Sequence, residues 1–439
     1  MRPITTELLN RCRLCYAEDR SAHTLNAAMS KSEYADLAYV PMNASKLKGD
    51  FSIELKTRGI TAQQKSGRCW MFAVMNIMRE VVAERCGLSE FTLSGNYLAF
   101  YDKLEKANNA LEMAIKYSDL PLNDRMMEYI LTGFHDGGYW DMAVDLVKKY
   151  GIVPAYAMPE NYQSEHTDKF MKLLNSLVRK DICELRQMIS DGKNVDLRKD
   201  EMIEEVYKAE CIAFGEPPVS FNFEFRNQKK PEEFHSDIGI TPKEFYNKYV
   251  GMKLEEYITI TNHPTAGLPM DYYYKFHYIG SMAEGNVYNI NLSIDELKSL
   301  CISQLRDGEP IWFGCDAGAY GDRKMGVWDQ DSLDYEGLLG GVQFTLPKKE
   351  RLEYRDSYAT HAMILVGVNL HDGEQPDRWK IENSWGKDVG ENGYFVCSDK
   401  YFDEFVYEAI INKKHLSPEK LALLDNEPVE INAWESDSL

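Results

Sequence analysis

The stretch Gln63-Gln64-Lys65-Ser66-Gly67-Arg68-Cys69-Trp70-Met71-Phe72 constrains what this chain can fold into more than any other. Ser66 and Gly67 predict a turn. Behind Cys69, the apolar residues Met71, Val74, Met75, Met78 and Val82 recur at intervals of three and four, which predicts a helix with one buried face. Cys69 then stands at or near a helix N-terminus. Unpaired backbone N–H groups and the positive end of the helix dipole favour thiolate over thiol there, and the thiolate is the nucleophile. Gln63, six residues upstream, offers a side-chain amide that can join the Cys69 backbone N–H in holding an oxyanion. Gln64 is the alternative donor; the spacing favours Gln63. Taken alone, the stretch also fits a plain core cysteine.

Two segments far downstream change that balance. Thr360-His361-Ala362-Met363-Ile364-Leu365-Val366-Gly367-Val368 predicts a polar turn feeding a buried strand, with His361 at the mouth of a sheet. Twenty-two residues on, Trp379-Lys380-Ile381-Glu382-Asn383-Ser384-Trp385-Gly386 predicts a second strand, ending in a polar residue, a Trp and a glycine turn. Asn383 can accept an imidazole N–H of His361 and fix its tautomer, with Trp385 keeping water off that bond.

Gln63 through Trp70, His361 with its apolar strand, and Asn383-Ser384-Trp385-Gly386 together resemble the papain-like cysteine peptidases. Within them the Ser-Gly-Arg-Cys-Trp form resembles the bleomycin hydrolase and aminopeptidase C branch. So do Asp136-Gly137-Gly138-Tyr139-Trp140-Asp141-Met142, Lys149 to Pro154, Gly308 to Asp316 and Asp425-Asn426-Glu427-Pro428-Val429, so the resemblance spans nearly the whole chain. It implies an α+β fold in two parts, a helical half carrying the thiol and a β-barrel half carrying the base. It further implies a large helical insertion, N- and C-terminal arms, and a hexamer that encloses its active sites.

Composition agrees. The 439 residues, 44% hydrophobic, suffice for a sizeable core. Nine cysteines without regular spacing, and no secretory leader before Ile4, point to a reducing cytoplasm and free thiols. No apolar run is long enough to span a bilayer. With 50 basic against 70 acidic residues, the net charge of −20 repels phosphate backbones and anionic membranes, so neither nucleic acid nor membrane is expected as a partner.

Along the chain, residues 1–58 read as an N-terminal arm, loop-rich from residue 21. Its Cys12-Arg13-Leu14-Cys15 lacks a second pair or a His at ligand spacing, so it reads as part of an amphipathic helix. Residues 59–155 read as the helical half. In it, Gly137 and Gly138 let a substrate backbone approach closely, a role that the resemblance supports over a simple turn. His361 stands 292 residues beyond Cys69, roughly twice the 130–150 of the papain pattern. Residues 156–255 read as the helical insertion that accounts for the excess, with oligomer contacts. Residues 256–415 read as the β-rich half, where Ser293 and Glu296 make a capping box. Cys315 reads as inert and His371 as a turn residue.

Residues 416–439 read as a tail entering the cleft. In the branch the terminal carboxylate meets the substrate's α-amino group, which implies a substrate-binding role for Leu439 here, and the resemblance implies such roles for Gly137, Gly138 and Trp385 as well. The ending Glu435-Ser436-Asp437-Ser438-Leu439 departs from the branch pattern. The expectation is a cysteine peptidase that releases N-terminal residues from peptides through an acyl-enzyme on Cys69, with His361, Asn383 and Gln63, and without metal or organic cofactor. An oligopeptide endopeptidase, because of the altered tail, and a catalytically silent scaffold are the alternatives.

Overall fold

A computed structural model describes residues 1–283, 285–372, 374–432 and 434. The arm is helical, with α1 (Thr6–Glu18) and α2 (Arg20–Met29) followed by two short helices. Residues 21–62 are thus not the loop-rich segment expected, because Asp19 caps α2 by accepting from Ala22 N. Neither α1 nor α2 buries a residue. A two-residue strand β1 (Ile53–Glu54) then leads to the Cys69 turn.

Helix α3 (Cys69–Cys86) is the pivot of the molecule. Its period-3.6 apolar stripe is buried almost all round, and it ends at Gly87, whose φ of 67° is the left-handed cap that a side chain resists. Helix α4 (Gly95–Lys116) starts where Ser94 accepts from Tyr97 N, and α5 (Arg125–Thr132) and α6 (Trp140–Tyr150) follow. Helices α7 (Asp168–Ser190) and α8 (Asp196–Phe214) pack on α4 and α5 through Leu111, Met127, Leu174, Val178, Ile182 and Val206.

The segment after Pro217-Pro218, within the insertion read as helical, carries strands. Strands β2 (Phe221–Arg226) and β3 (Phe234–Ile240) form a hairpin. Phe-Asn-Phe-Glu-Phe-Arg alternates with period 2, and Phe221 and Phe223 bury one face against Phe245 and Tyr249.

The remaining strands, β4 (Tyr257–Thr261), β5 (Tyr272–His277), β6 (Asn286–Asn291), β7 (Ile311–Cys315), β8 (Gly321–Asp322), β9 (Val327–Trp328), β10 (His361–His371), β11 (Gln375–Glu382), β12 (Tyr394–Ser398), β13 (Val406–Asn412) and β14 (Val429–Ile431), belong to one sheet. Its order is β14-β5-β6-β4-β13-β7-β10-β11-β12-β9-β8, with β1 added on β10. Helix α9 (Ile294–Arg306) begins with the expected capping box, Ser293 and Glu296 each bonding the other's backbone. One core joins α3, α4 and α6 to Trp312, Ile364, Val366 and Ile410 of the sheet; a second joins α9 and residues 399–405 to other strand residues. The result is a mixed α+β fold in which the N-terminus of α3 abuts the central strands.

Candidate active site

Where α3 meets the sheet, a cleft of about 870 Å³ is lined by Gln63, Cys69, Gly137, Gly138, Trp312, Gly314, His361, Ala362 and Glu408, among others. Cys69 is the first residue of α3, and Arg68 before it offers no side-chain cap, so the N–H groups of Cys69 and Trp70 face the sulfur. Buried Arg68 holds this turn in place: it donates to Ser66 Oγ at 2.9 Å and pairs with Glu160 at 3.0 Å.

His361 opens β10, opposite Cys315 of β7, and is buried. Its Nε2 lies 2.9 Å from Asn383 Oδ1, which leaves Nδ1 as the nitrogen able to exchange a proton with Cys69. Asn383 follows β11, and the antiparallel pairing of Ile364 with Glu382 brings the two side chains together. Trp385 stacks on the imidazole with centroids 4.6 Å apart, and the Arg323 guanidinium caps its other side at 3.8 Å. Trp385 was expected among the substrate-binding residues; its ring lies against His361.

Burial pushes the Cys69 thiol up, against the pull of the backbone N–H groups of Ala362, Trp70 and Cys69 itself. Burial also pushes His361 down to about 4, opposed by the Asn383 bond and assisted by Arg323. The helix N-terminus therefore does not by itself yield the thiolate expected from sequence. Each charged form needs the other, so a single proton moved from sulfur to imidazole ionises both.

Gln63 is buried, its Oε1 accepting from Ser384 Oγ at 2.7 Å and its Nε2 donating to Ser66 O at 2.7 Å. One amide hydrogen remains for the cleft. Gln64 is exposed, with a left-handed φ of 55°. Gly137 and Gly138 line the opposite wall. A Cβ on Gly138 would sit 2.7 Å from the Trp70 ring, so no side chain fits between loop and helix.

That loop rests on buried charges which sequence reasoning missed. Lys106 donates to the carbonyls of His135 and Gly137 at 2.8 Å each, and pairs with Asp102 at 2.9 Å. Lys103 pairs with Asp136 at 2.7 Å; despite burial, Lys103 and Thr167 hold that carboxyl well below the usual carboxylate range. Nothing in the local sequence marks Lys103 and Lys106 of α4 as buried; only three-dimensional packing buries them.

Leu439 lies outside the described residues, as do residues 435–438. Of the tail, β14 pairs parallel with β5, and Trp434 lines a second cavity of about 420 Å³ that shares His135, Gly137, Gly138 and Tyr139 with the cleft. Cys315 is buried with its thiol pushed up by burial, and His371 is exposed beside Asp377. Among the described residues no group of three His, Cys, Asp or Glu is arranged to hold a metal, and no helix is long and apolar enough to cross a membrane.

Residues 3–438 match the Peptidase C1-like family. Aminopeptidase C of Listeria innocua is 41% identical over 397 residues, 90% of this chain and 89% of that protein. Aminopeptidase C of Lactococcus lactis subsp. lactis is 37% identical over 434 residues, 98% of each chain. The crystal structure of PepW from Lactobacillus rhamnosis HN001 superposes with a TM-score of 0.95 at 39% identity, covering 99% of this chain and 98% of that one.

Proposed function

This chain belongs to the Peptidase C1-like family and is a cysteine peptidase, and we propose that Cys69, His361, Asn383 and Gln63 carry its reaction, the release of residues from the amino terminus of peptides. Cys69 Sγ gives its proton to His361 Nδ1 and attacks the carbonyl carbon of the first peptide bond. The oxyanion is held by the Cys69 backbone N–H and the Gln63 amide. Imidazolium returns the proton to the leaving amine, and a water activated by the same imidazole then frees the acyl group. Asn383 holds the ring in the productive tautomer throughout. Gly137 and Gly138 present backbone to the peptide.

One observation carries this reading: a single cleft holds the sulfur, the imidazole with its carboxamide 2.9 Å away, and the glycine pair. Trp434 beside the glycine loop supports a tail that limits how far a peptide extends past its first residue. We read the molecule as a helical part and a β part around this cleft, with residues 156–255 inserted and residues 1–58 as an arm. We also place it in the cytoplasm as a homo-oligomer, a hexamer by resemblance. The nine free cysteines support the first; the exposed Leu9 and Leu14 on α1, which buries nothing, support the second.

The test pairs fluorogenic peptides with free and acetylated amino termini, using wild type and Cys69→Ala. Fast cleavage of free substrates, slow cleavage of blocked ones and loss of both in Cys69→Ala is the expected result. Equal cleavage of blocked peptides would replace the aminopeptidase by an endopeptidase, and turnover surviving Cys69→Ala would sink the mechanism.

A further inference from the structure

The ring that covers the candidate base is itself covered by a charge that the mechanism above does not use. Trp385 lies on the His361 imidazole with centroids 4.6 Å apart, and the Arg323 guanidinium lies 3.8 Å over the Trp385 ring. Stacked rings leave no room for a guanidinium between them, so Arg323 occupies the outer face of the indole. Cation, indole and imidazole form a column, whose two spacings set the guanidinium roughly 8 Å from the imidazole.

The chain fixes this placement. Arg323 stands in the tight turn between β8 and β9, and β9 is held by its pairing with β12. The Arg323 carbonyl accepts from Gly390 N at 3.2 Å, on the turn that follows Trp385. Asp322, its neighbour in sequence, is turned onto its own loop, accepting from Lys324 N at 2.8 Å and Met325 N at 3.1 Å. Arg323 is exposed in a chain with 70 acidic residues, yet among the described residues it makes no ion pair. It is stacked instead.

The other charges around the imidazole are few. Cys69 of α3 and Glu408 of β13 line the same cleft, and Asp136 of the glycine loop acts on Cys69. Asp316 at the end of β7 accepts from Ser357 Oγ at 2.7 Å; Lys387 and Asp388, after Trp385, are exposed and opposite in sign. Arg323 acts on His361 itself, assisting burial in pushing the imidazole down. A guanidinium stays cationic wherever thiol and imidazole titrate. It therefore opposes imidazolium and favours thiolate. Sulfur and imidazole titrate as a coupled pair, so a fixed cation lowers both limbs of the pH profile, whichever of the two holds the proton.

We propose that Arg323 is a positioning residue, held over His361 by Trp385, whose charge sets the pH window in which Cys69 and His361 exchange their proton. This rests on the peptidase reading. If Arg323 only propped the indole, its loss would lower the rate without sliding the window.

The experiment measures kcat/KM from pH 4 to 10 on leucine aminomethylcoumarin amide for wild type, Arg323→Met and Arg323→Lys, at about 0.01 M salt, where such charges are barely screened. The substrate amine titrates alike in all three, so differences between profiles belong to the enzyme. Arg323→Met is expected to move the limbs to higher pH by a total of at least about 0.4 unit, the value for charges roughly 8 Å apart in water. Arg323→Lys, which keeps the charge, is expected to recover more than half of that shift. A smaller total in Arg323→Met, a limb that moves to lower pH, or a lesser recovery by lysine overturns the proposal, whatever the height of the profile. Those outcomes leave Cys69-dependent turnover, and so the peptidase reading, intact; wild type without that turnover overturns the reading itself. Should Arg323→Met fail to accumulate, Arg323→Gln takes its place in the same comparison.

Discussion

The two walls of the cleft are held by different physics. On the sheet side, His361 and Asn383 sit on neighbouring antiparallel strands, so dozens of atoms of backbone ladder set their separation, and β7 flanks β10 on its other edge. On the helical side, the loop from Asp136 to Tyr139 has no ladder. It hangs from the side chains of Lys103, Lys106, Thr167 and Trp70, whose Nε1 donates to Asp136 O at 2.7 Å. A ladder tolerates the loss of one side chain; a loop tied by buried charges does not.

The largest expected effect therefore lies on the helical side. Lys106→Met removes two hydrogen bonds to the loop and leaves buried Asp102 without its ion-pair partner, with Ser281 Oγ still donating to it, which costs about 3 kcal/mol in chemical denaturation, and it raises KM more than it lowers kcat. On the sheet side, Asn383→Ala is expected to spare stability and KM while kcat falls about 10–150-fold, the worth of a hydrogen bond to a charged imidazole. If Asn383→Ala proved as destabilising as Lys106→Met, the contrast between the walls would be wrong.

A smaller effect arises where the walls touch. Asp141 of α6 accepts from Tyr288 N at 2.8 Å, and burial, together with Asp145, raises it to about 7. An acid raised on folding contributes stability below its unfolded value near 3.9 and loses it as pH climbs through the folded value. Melting temperature measured from pH 4 to 8 is thus expected to fall more steeply in wild type than in Asp141→Asn; parallel curves would exclude a raised Asp141. Smallest of all, Trp385→Phe keeps a ring over His361 and is expected to change kcat by no more than about threefold.

Each member of the proposed triad carries a local signature: a helix stripe behind Cys69, an apolar strand behind His361, a strand and glycine turn around Asn383. Their meeting needed the resemblance, since no local pattern encodes a contact across 292 residues. The buried lysines of α4 were illegible, because a charged residue at helical spacing reads as solvated until Phe214 of α8, Trp70 and the glycine loop cover it. Glu408 did leave a trace, a lone charge inside an apolar strand. The β2–β3 hairpin left one too, in its alternating phenylalanines, which the surrounding polar residues obscured.

The seam between α3 and the sheet has a mechanical consequence. Trp312 Nε1 donates to Trp70 O at 3.1 Å at the start of α3, and two turns further on buried Arg79 grips Glu382 of β11 at 2.9 and 3.1 Å. Helix and sheet are riveted at both places, which opposes a swing of one against the other.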